Sequence, residues 1–418
     1  MQLKKQHNVR KALALATASL LGNTVSAAGT DEAWELDSAL MVYSETDRVQ
    51  AIKPVISAKK NLGDDESFTV RFLIDSLSGA SPNGAIATNT AQTFTSASGE
   101  STYTVAPGET PLDPEFKDAR YALNGSWEKP LTRLTKAIVG ANISTEEDYQ
   151  SLGISASLAR DFNQRNTTLT AGLAVNSDTI EPYEGVPDPF SVMNVGVPKS
   201  TSTTSEDKTV TDFLLGWTQV LDRTTLMQLN LNIGRDSGYM TDPYKIISVV
   251  DPGTEDLRAA NPYLYEHRPD SRQRQALYWK LVKNLSGDVL NLSYRYYWDD
   301  WEIKSHTVDM HYRFNFNNNR YLQPHVRYYQ QSKADFYYYK LEDGTLPEFA
   351  SADYRLGDLT TSTAGLKYGF TTSKDSEISA RLEYMKQSAD GDDPFPDVEA
   401  VIFQLSYSGN FNSLWKPW

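Results

Sequence analysis

The sequence predicts an all-β fold: one transmembrane antiparallel up-and-down β-barrel of about 16 strands, set in a Gram-negative outer membrane. Three observations predict it. The chain opens on an export signal, its body alternates apolar and polar residues with a period of two, and its connections alternate between short turns and long loops.

Export is read from residues 1–27. Lys4, Lys5, Arg10 and Lys11 form a positive n-region, Ala12 to Val25 an apolar stretch, and Val25-Ser26-Ala27 a small-residue cleavage site. The apolar stretch is shorter than a spanning helix needs, and no cysteine follows to carry a lipid anchor. Residues 28–418 then read as a single barrel domain, without helical repeat, coiled coil or low-complexity linker. The 418 residues carry 40 Lys and Arg against 54 Asp and Glu, a net charge of −14; losing the leader's four cations takes it to −18. That balance argues against nucleic acid, whose recognition needs a basic face. Cysteine is absent, which excludes disulfides, zinc–thiolate sites, iron–sulfur clusters, covalent haem and a cysteine nucleophile. The mean hydropathy of −0.50 is too polar for a helical membrane protein. A barrel hides its lipid face at every second residue and tolerates such an average.

In chain order the strands fall near 36–45, 48–60, 67–77, 117–129, 132–144, 149–162, 166–178 and 208–221, then 224–235, 271–285, 288–299, 302–316, 319–333, 359–371, 376–387 and 398–411, with Asn412 to Trp418 trailing. The alternation is plain in Thr225 to Ile233, where Met227, Leu229 and Leu231 oppose Gln228, Asn230 and Asn232. It recurs where Leu290, Leu292, Tyr294, Tyr296 and Trp298 oppose Asn291, Ser293, Arg295 and Tyr297. Val308, Met310, Tyr312 and Phe314 likewise oppose Asp309, His311 and Arg313. A soluble sandwich alternates too. The polar face here carries Arg, His and Asn mid-strand while aromatics gather toward strand ends, as a wet lumen and aromatic girdles require.

The connections divide by length. Asn61–Glu66, Glu128–Thr132, Asp161–Arg165, Leu221–Thr224, Leu285–Asp288, Phe316–Arg320 and Thr371–Ser376 are tight. The intervening links include Ser78–Phe116, Thr179–Asp207, Asp236–Asp270, Ala334–Asp358 and Gln387–Asp397. Short turns on one side and long loops on the other mark outer-membrane barrels, and an even strand count leaves both termini in the periplasm. Redrawn boundaries would also fit 14 or 18 strands. Ala80–Thr102, rich in Ser, Thr, Ala and Gly, reads as a mobile extracellular loop.

The densest polar constellation spans Ser271 to Lys333. Parity turns Arg272, Arg274, Lys280, Arg295, Asp309, His311, Arg313, His325 and Arg327 toward the lumen. Counting back from the Asn317–Asn319 turn, His311 faces His325 and Asp309 faces Arg327. A basic wall of this kind concentrates anions. Lumen positions of any wide barrel are polar, however, and cross-wall ion pairs would satisfy these residues equally well. Two imidazoles invite a metal, but a site needs three or four converging ligands. Asp309 is the one evident third ligand and Arg327 competes for it, so no metal or other cofactor is assigned. No glycine-flanked serine elbow, phosphate loop or zincin helix is present, and no enzyme activity is expected.

The long loops are acidic at Glu146-Glu147-Asp148, Glu181 to Asp188, Glu255-Asp256, Glu342-Asp343 and Asp390 to Asp393. Such clusters solvate exposed loops; they could also bridge lipopolysaccharide through divalent cations. The expected partners are outer-membrane lipid and lipopolysaccharide, and the barrel-assembly machinery during biogenesis.

Several segments together resemble a known family: Gly238-Tyr239-Met240-Thr241-Asp242-Pro243-Tyr244-Lys245-Ile246, Arg268-Pro269-Asp270-Ser271-Arg272 and Tyr294 to Trp301, with Ser305 to Asp309, Gln323 to Tyr329 and Ala350 to Leu356. They are similar to the proteobacterial family catalogued as domain of unknown function 3570, thought to be outer-membrane barrels. The similarity covers most of the chain after the leader and is densest from Gly234 to Gly369. The resemblance carries no activity and no catalytic residue. Family members are encoded near a flavin transferase and thioredoxin-like proteins, which implies a periplasmic redox partner that this cysteine-free chain could only house. Two functions fit the sequence: a porin-like transport barrel for small solutes, and a non-conducting scaffold for a periplasmic partner.

Overall fold

A computed structural model describes residues 34–410, apart from 98, 100, 318, 374, 375, 390–392 and 394. The expected leader and cleavage site, the trailing residues after Asn410 and most of the acidic run Asp390–Asp393 lie outside the described residues.

Alternation of side chains across each strand gives every segment one oily and one wet face, and a sheet closed with water inside and lipid outside satisfies both. Sixteen strands close in chain order: β1 (Trp34–Glu45), β2 (Val49–Gly63), β3 (Glu66–Pro82), β4 (Leu112–Thr132), β5 (Thr135–Thr145), β6 (Tyr149–Phe162), β7 (Thr167–Ile180), β8 (Glu206–Asp222), β9 (Thr225–Gly238), β10 (Ser271–Leu285), β11 (Asp288–Asp299), β12 (Lys304–Asn317), β13 (Arg320–Gln331), β14 (Leu359–Ser373), β15 (Ser376–Ala389) and β16 (Val398–Asn410). Every pairing is antiparallel to the next strand in sequence, and β1 closes on β16 with Leu40 opposite Leu405. The largest departure from the expected boundaries is at β3 and β4, whose pairing runs on through Pro82 and Leu112 past a bulge between Gly79 and Ser81.

The outer face carries exposed Leu152, Ile154, Leu173, Leu215, Val326 and Leu405. Aromatics flank it, with Phe68, Trp127, Phe162 and Phe316 toward the short turns and Tyr121, Tyr294, Tyr328 and Tyr384 toward the long loops. Apolar surface of this extent is stable only against hydrocarbon, and its aromatic borders fit the headgroup level. The chain is an outer-membrane β-barrel. No helix among the described residues is long and apolar enough to cross a membrane.

The long loops do not hang free. Loop 239–270 contributes strands Ile246–Val250 and Tyr263–Tyr265, and Leu341–Glu342 of loop 332–358 joins them through a parallel pair, Val249 with Leu341. Loop 83–111 folds as a hairpin, Gln92–Thr95 with Thr102–Val105. Together these segments enclose Ala85, Phe94, Ile247, Val250 and Ala350. The expectation of a mobile Ala80–Thr102 loop is therefore corrected. Its small residues let the backbone pack closely: Gly84 adopts φ +102°, and a Cβ there would collide with the Ile246 carbonyl oxygen. Polar anchors complete it, with the Ile86 amide donating to Ser248 Oγ and Tyr263 Oη donating to Gln92 Oε1. Met240 and Leu356 from two loops pack with the lumen-facing Ala276 and Tyr297 of the barrel wall. The loops thus form a cap seated in the mouth of the barrel.

Candidate functional site: the lumen wall and its cap

On β10 to β13 the outward positions Leu277, Tyr294, Val308, Met310, Val326 and Tyr328 are exposed. The nine expected wall residues alternate with this set, and each stands on the inward face. Their partners change the character of the wall. Arg272 Nε donates to Asp299 Oδ2 at 2.9 Å. Arg274 Nη2 bridges Asp236 at 2.6 Å and Asp212 at 3.3 Å. Arg313 Nη2 lies 3.7 Å from Glu377. Elsewhere on the wall Lys53 and Arg120 share Asp75, and Lys208 pairs with Asp178. Much of the cationic charge is therefore answered locally. Among the described residues Lys280, Arg295 and Arg327 have no carboxylate within ion-pair distance.

The expected register holds at the imidazoles: His311 is opposite His325, and Asp309 is opposite Arg327. Asp309 does not pair with Arg327, however. Residues two apart on one strand share a face, so Asp309 and His311 point the same way, and the carboxylate turns toward the imidazole pair rather than straight across to Arg327. His311 Nε2 lies 3.0 Å from Asp309 Oδ1, and His325 Nε2 lies 3.1 Å from Asp309 Oδ2. The two rings stack with centroids 4.0 Å apart. Glu383, absent from the sequence reading, accepts from His325 Nδ1 at 2.6 Å. Nothing in local spacing marks Glu383, because it comes from a strand two removed from His325. Asp309, His311 and His325 offer three ligand atoms within 4.8 Å of one another and could hold a metal ion.

The cap has its own polar centre. Arg268 pairs with Glu266 at 2.5 Å and with Asp353 at 2.8 Å. Arg355 pairs with Asp353 and, at 3.4 Å, with Asp242. Lys245 is wholly enclosed and donates through Nζ to the Pro82 carbonyl. Burial pulls Lys245 down to about 8, partly opposed by the Asp353 carboxylate. Burial would raise Asp353, but the guanidinium groups of Arg355 and Arg268 hold its carboxyl well below the usual range. Burial also lowers Lys199, in loop 181–205, to about 8. The acidic clusters are partly answered by local cations, with buried Glu146 3.9 Å from Arg120 and, at the surface, Glu255 paired with Lys340 and Asp343 2.7 Å from Arg258.

The family model described as "Protein of unknown function (DUF3570)" matches residues 10–409. The chain belongs to this family. The segments that carry the resemblance include much of the cap's centre, namely Asp242, Lys245, Arg268, Asp353 and Arg355. No curated protein matches the chain. Among solved structures it is similar to a bacterial polysaccharide outer membrane secretin, at 9% identity and a TM-score of 0.46, covering 92% of this chain and 100% of the other. It is similar to OprB of Pseudomonas putida, at 12% identity and a TM-score of 0.44, covering 91% and 95%. It is also similar to the Pseudomonas putida toluene transporter TodX, at 12% identity and a TM-score of 0.41, covering 94% and 93%.

Proposed function

We propose that this chain is a porin-like transport barrel for small solutes, with its path constricted by the cap at the long-loop mouth. In this reading the long loops face outward and both termini lie in the periplasm. The observation that carries it is the packing of Met240 and Leu356 onto lumen-facing Ala276 and Tyr297. A sixteen-stranded closure leaves a water-filled bore unless loops fold inward, and here the inward loops meet the wall near one end. The polar wall continues through Lys280, Arg295 and Arg327 toward the short turns. Planar-bilayer recording of the purified protein tests the reading. Wild type should show small, intermittent conductance, and a variant with a loosened cap, Arg355→Ala, should conduct more. Silence from both folded proteins would overturn transport.

A second reading, a non-conducting scaffold for a periplasmic partner, draws on the buried ion pairs that lock the loops together. It expects that silence, together with co-purification of the partner from the periplasmic side.

A further inference from the structure

Four adjacent strands set a row of residues at one height on the lumen wall. His311 on β12 is opposite His325 on β13, His325 is opposite Gly365 on β14, and Gly365 is opposite Glu383 on β15. The glycine decides what the row can do. A Cβ at 365 would collide with Glu383 Cγ and lie 2.8 Å from Glu383 Cβ. With no side chain in the way, Glu383 leans across β14 and accepts from His325 Nδ1. The far nitrogen of the same ring is thereby aimed at Asp309, beside His311 Nε2.

We propose that Asp309, His311 and His325 bind one divalent transition-metal ion of the zinc or copper class, with Glu383 as the orienting partner of His325. Two imidazoles and a carboxylate suit these ions, whereas calcium and magnesium take oxygen ligands. A ligating histidine commonly donates its other ring N–H to a carboxylate, which fixes the ring and raises its basicity. Glu383 holds that position. Three protein ligands leave a fourth place for water or solute, facing the lumen. His325 is held at 8% side-chain exposure, while His311 at 28% and Asp309 at 22% can close around an ion.

The competing account is an imidazolium at His325 satisfied by two carboxylates, with no ion. Metal binding then replaces the Nε2 proton, which leaves to solvent as the N–metal bond forms. Nearby cations weaken the site: Arg327 opposite Asp309, Arg381 at 3.6 Å from Glu383, and Lys280, whose charge acts on Asp309. The Asp309 and Glu383 carboxylates oppose them. Competing ligands are few, because the chain has no cysteine and its other histidines after the leader are His267 and His306.

The test uses the tag-free full-length protein in detergent, stripped with chelator and titrated with Zn²⁺ or Cu²⁺ by calorimetry, with electron paramagnetic resonance of the Cu²⁺ form. One ion per chain and coupling to two imidazole nitrogens are expected. Glu383→Gln and Gly365→Ala should each weaken binding by roughly 10–100-fold, the usual loss for a missing outer partner. The His311→Ala/His325→Ala double variant should lose saturable binding, while His306→Ala should keep it. Heat-modifiable migration establishes that each variant is folded; if the double variant is not, His311→Ala alone should still lose the two-nitrogen signal. No saturable binding by folded wild type, or unchanged affinity in folded His311→Ala, would overturn the proposal.

Discussion

At the scale of single residues, the cap depends on charges that have no access to water. Asp353 is gripped by Arg268 and Arg355, and Arg355 reaches on to Asp242. Removing one partner of a buried pair costs about 3–5 kcal/mol, because the other charge stays behind without compensation. Arg355→Ala should therefore free loops 239–270 and 332–358, which limited proteolysis would report, while the barrel keeps its heat-modifiable migration. Protection equal to wild type would mean that the apolar contacts alone hold the cap. Enclosed Lys245 and half-buried Lys199 add a pH dependence with a definite sign. Lys245 and Lys199 both titrate near 8 in the cap, against about 10.5 in open chain. Between these values the undocked cap's lysines bind more protons than the docked ones, so docking strengthens as pH rises from 8 toward 9; nearer 10 the buried tyrosines Tyr239, Tyr244 and Tyr354, raised by the same burial, add the opposite trend. Hydrogen exchange in loop 239–270, corrected for its intrinsic pH dependence, should show greater protection at pH 9 than at pH 8. Lys245→Met should flatten that trend.

Individual strands carry the separation between lipid and lumen. Ile154, 66% exposed on the outer face, sits mid-strand on β6. Ile154→Arg should impair assembly, since arginine at the bilayer midplane costs about 2–4 kcal/mol in such barrels. Asn291→Arg, on the inward face of β11, should assemble better, and equal damage at both would refute the assigned faces. Parity alone does not make every inward position permissive. Asn230 is only 1% exposed and receives a hydrogen bond from Gln228, so a bulky charge there should fail despite its polar face. This marks the limit of what the sequence made legible. Period-two alternation and short polar links gave sixteen strands, the parity of β10 to β13 and the His311–His325 register, because each follows from local geometry. Glu383 stayed hidden because its reach depends on a glycine in the intervening strand. The cap stayed hidden because small polar residues such as those of 80–102 look alike whether solvated or packed. The segments resembling the family held its main charges, but nothing in their spacing said that they meet.

For the whole molecule, the question is what field remains in the bore once paired charges cancel. Arg272, Arg274 and Arg313 are neutralised by Asp299, by Asp236 and Asp212, and by Glu377. If the proposed transport path is open, Lys280, Arg295 and Arg327 are the wall cations left to act on a passing ion. Replacing these three by Gln should move the reversal potential toward cations. The shift should be clear at 0.1 M salt, where the Debye length is about 10 Å, and small at 1 M, where it is about 3 Å. A folded triple variant with unchanged selectivity would assign these residues to wall filling alone.

The cap's contacts also carry information about time. Barrel hairpins join neighbours in sequence, many through turns of two residues, whereas Lys245 meets Pro82 across 163 positions and Arg268 meets Asp353 across 85. Bringing distant segments together waits until the intervening chain is ordered. Loop 332–358, which supplies Asp353 and Arg355, is held at both ends only once β13 and β14 are in place. A barrel caught before β13 and β14 have paired would therefore lack that loop's hold, and its mouth would still stand open.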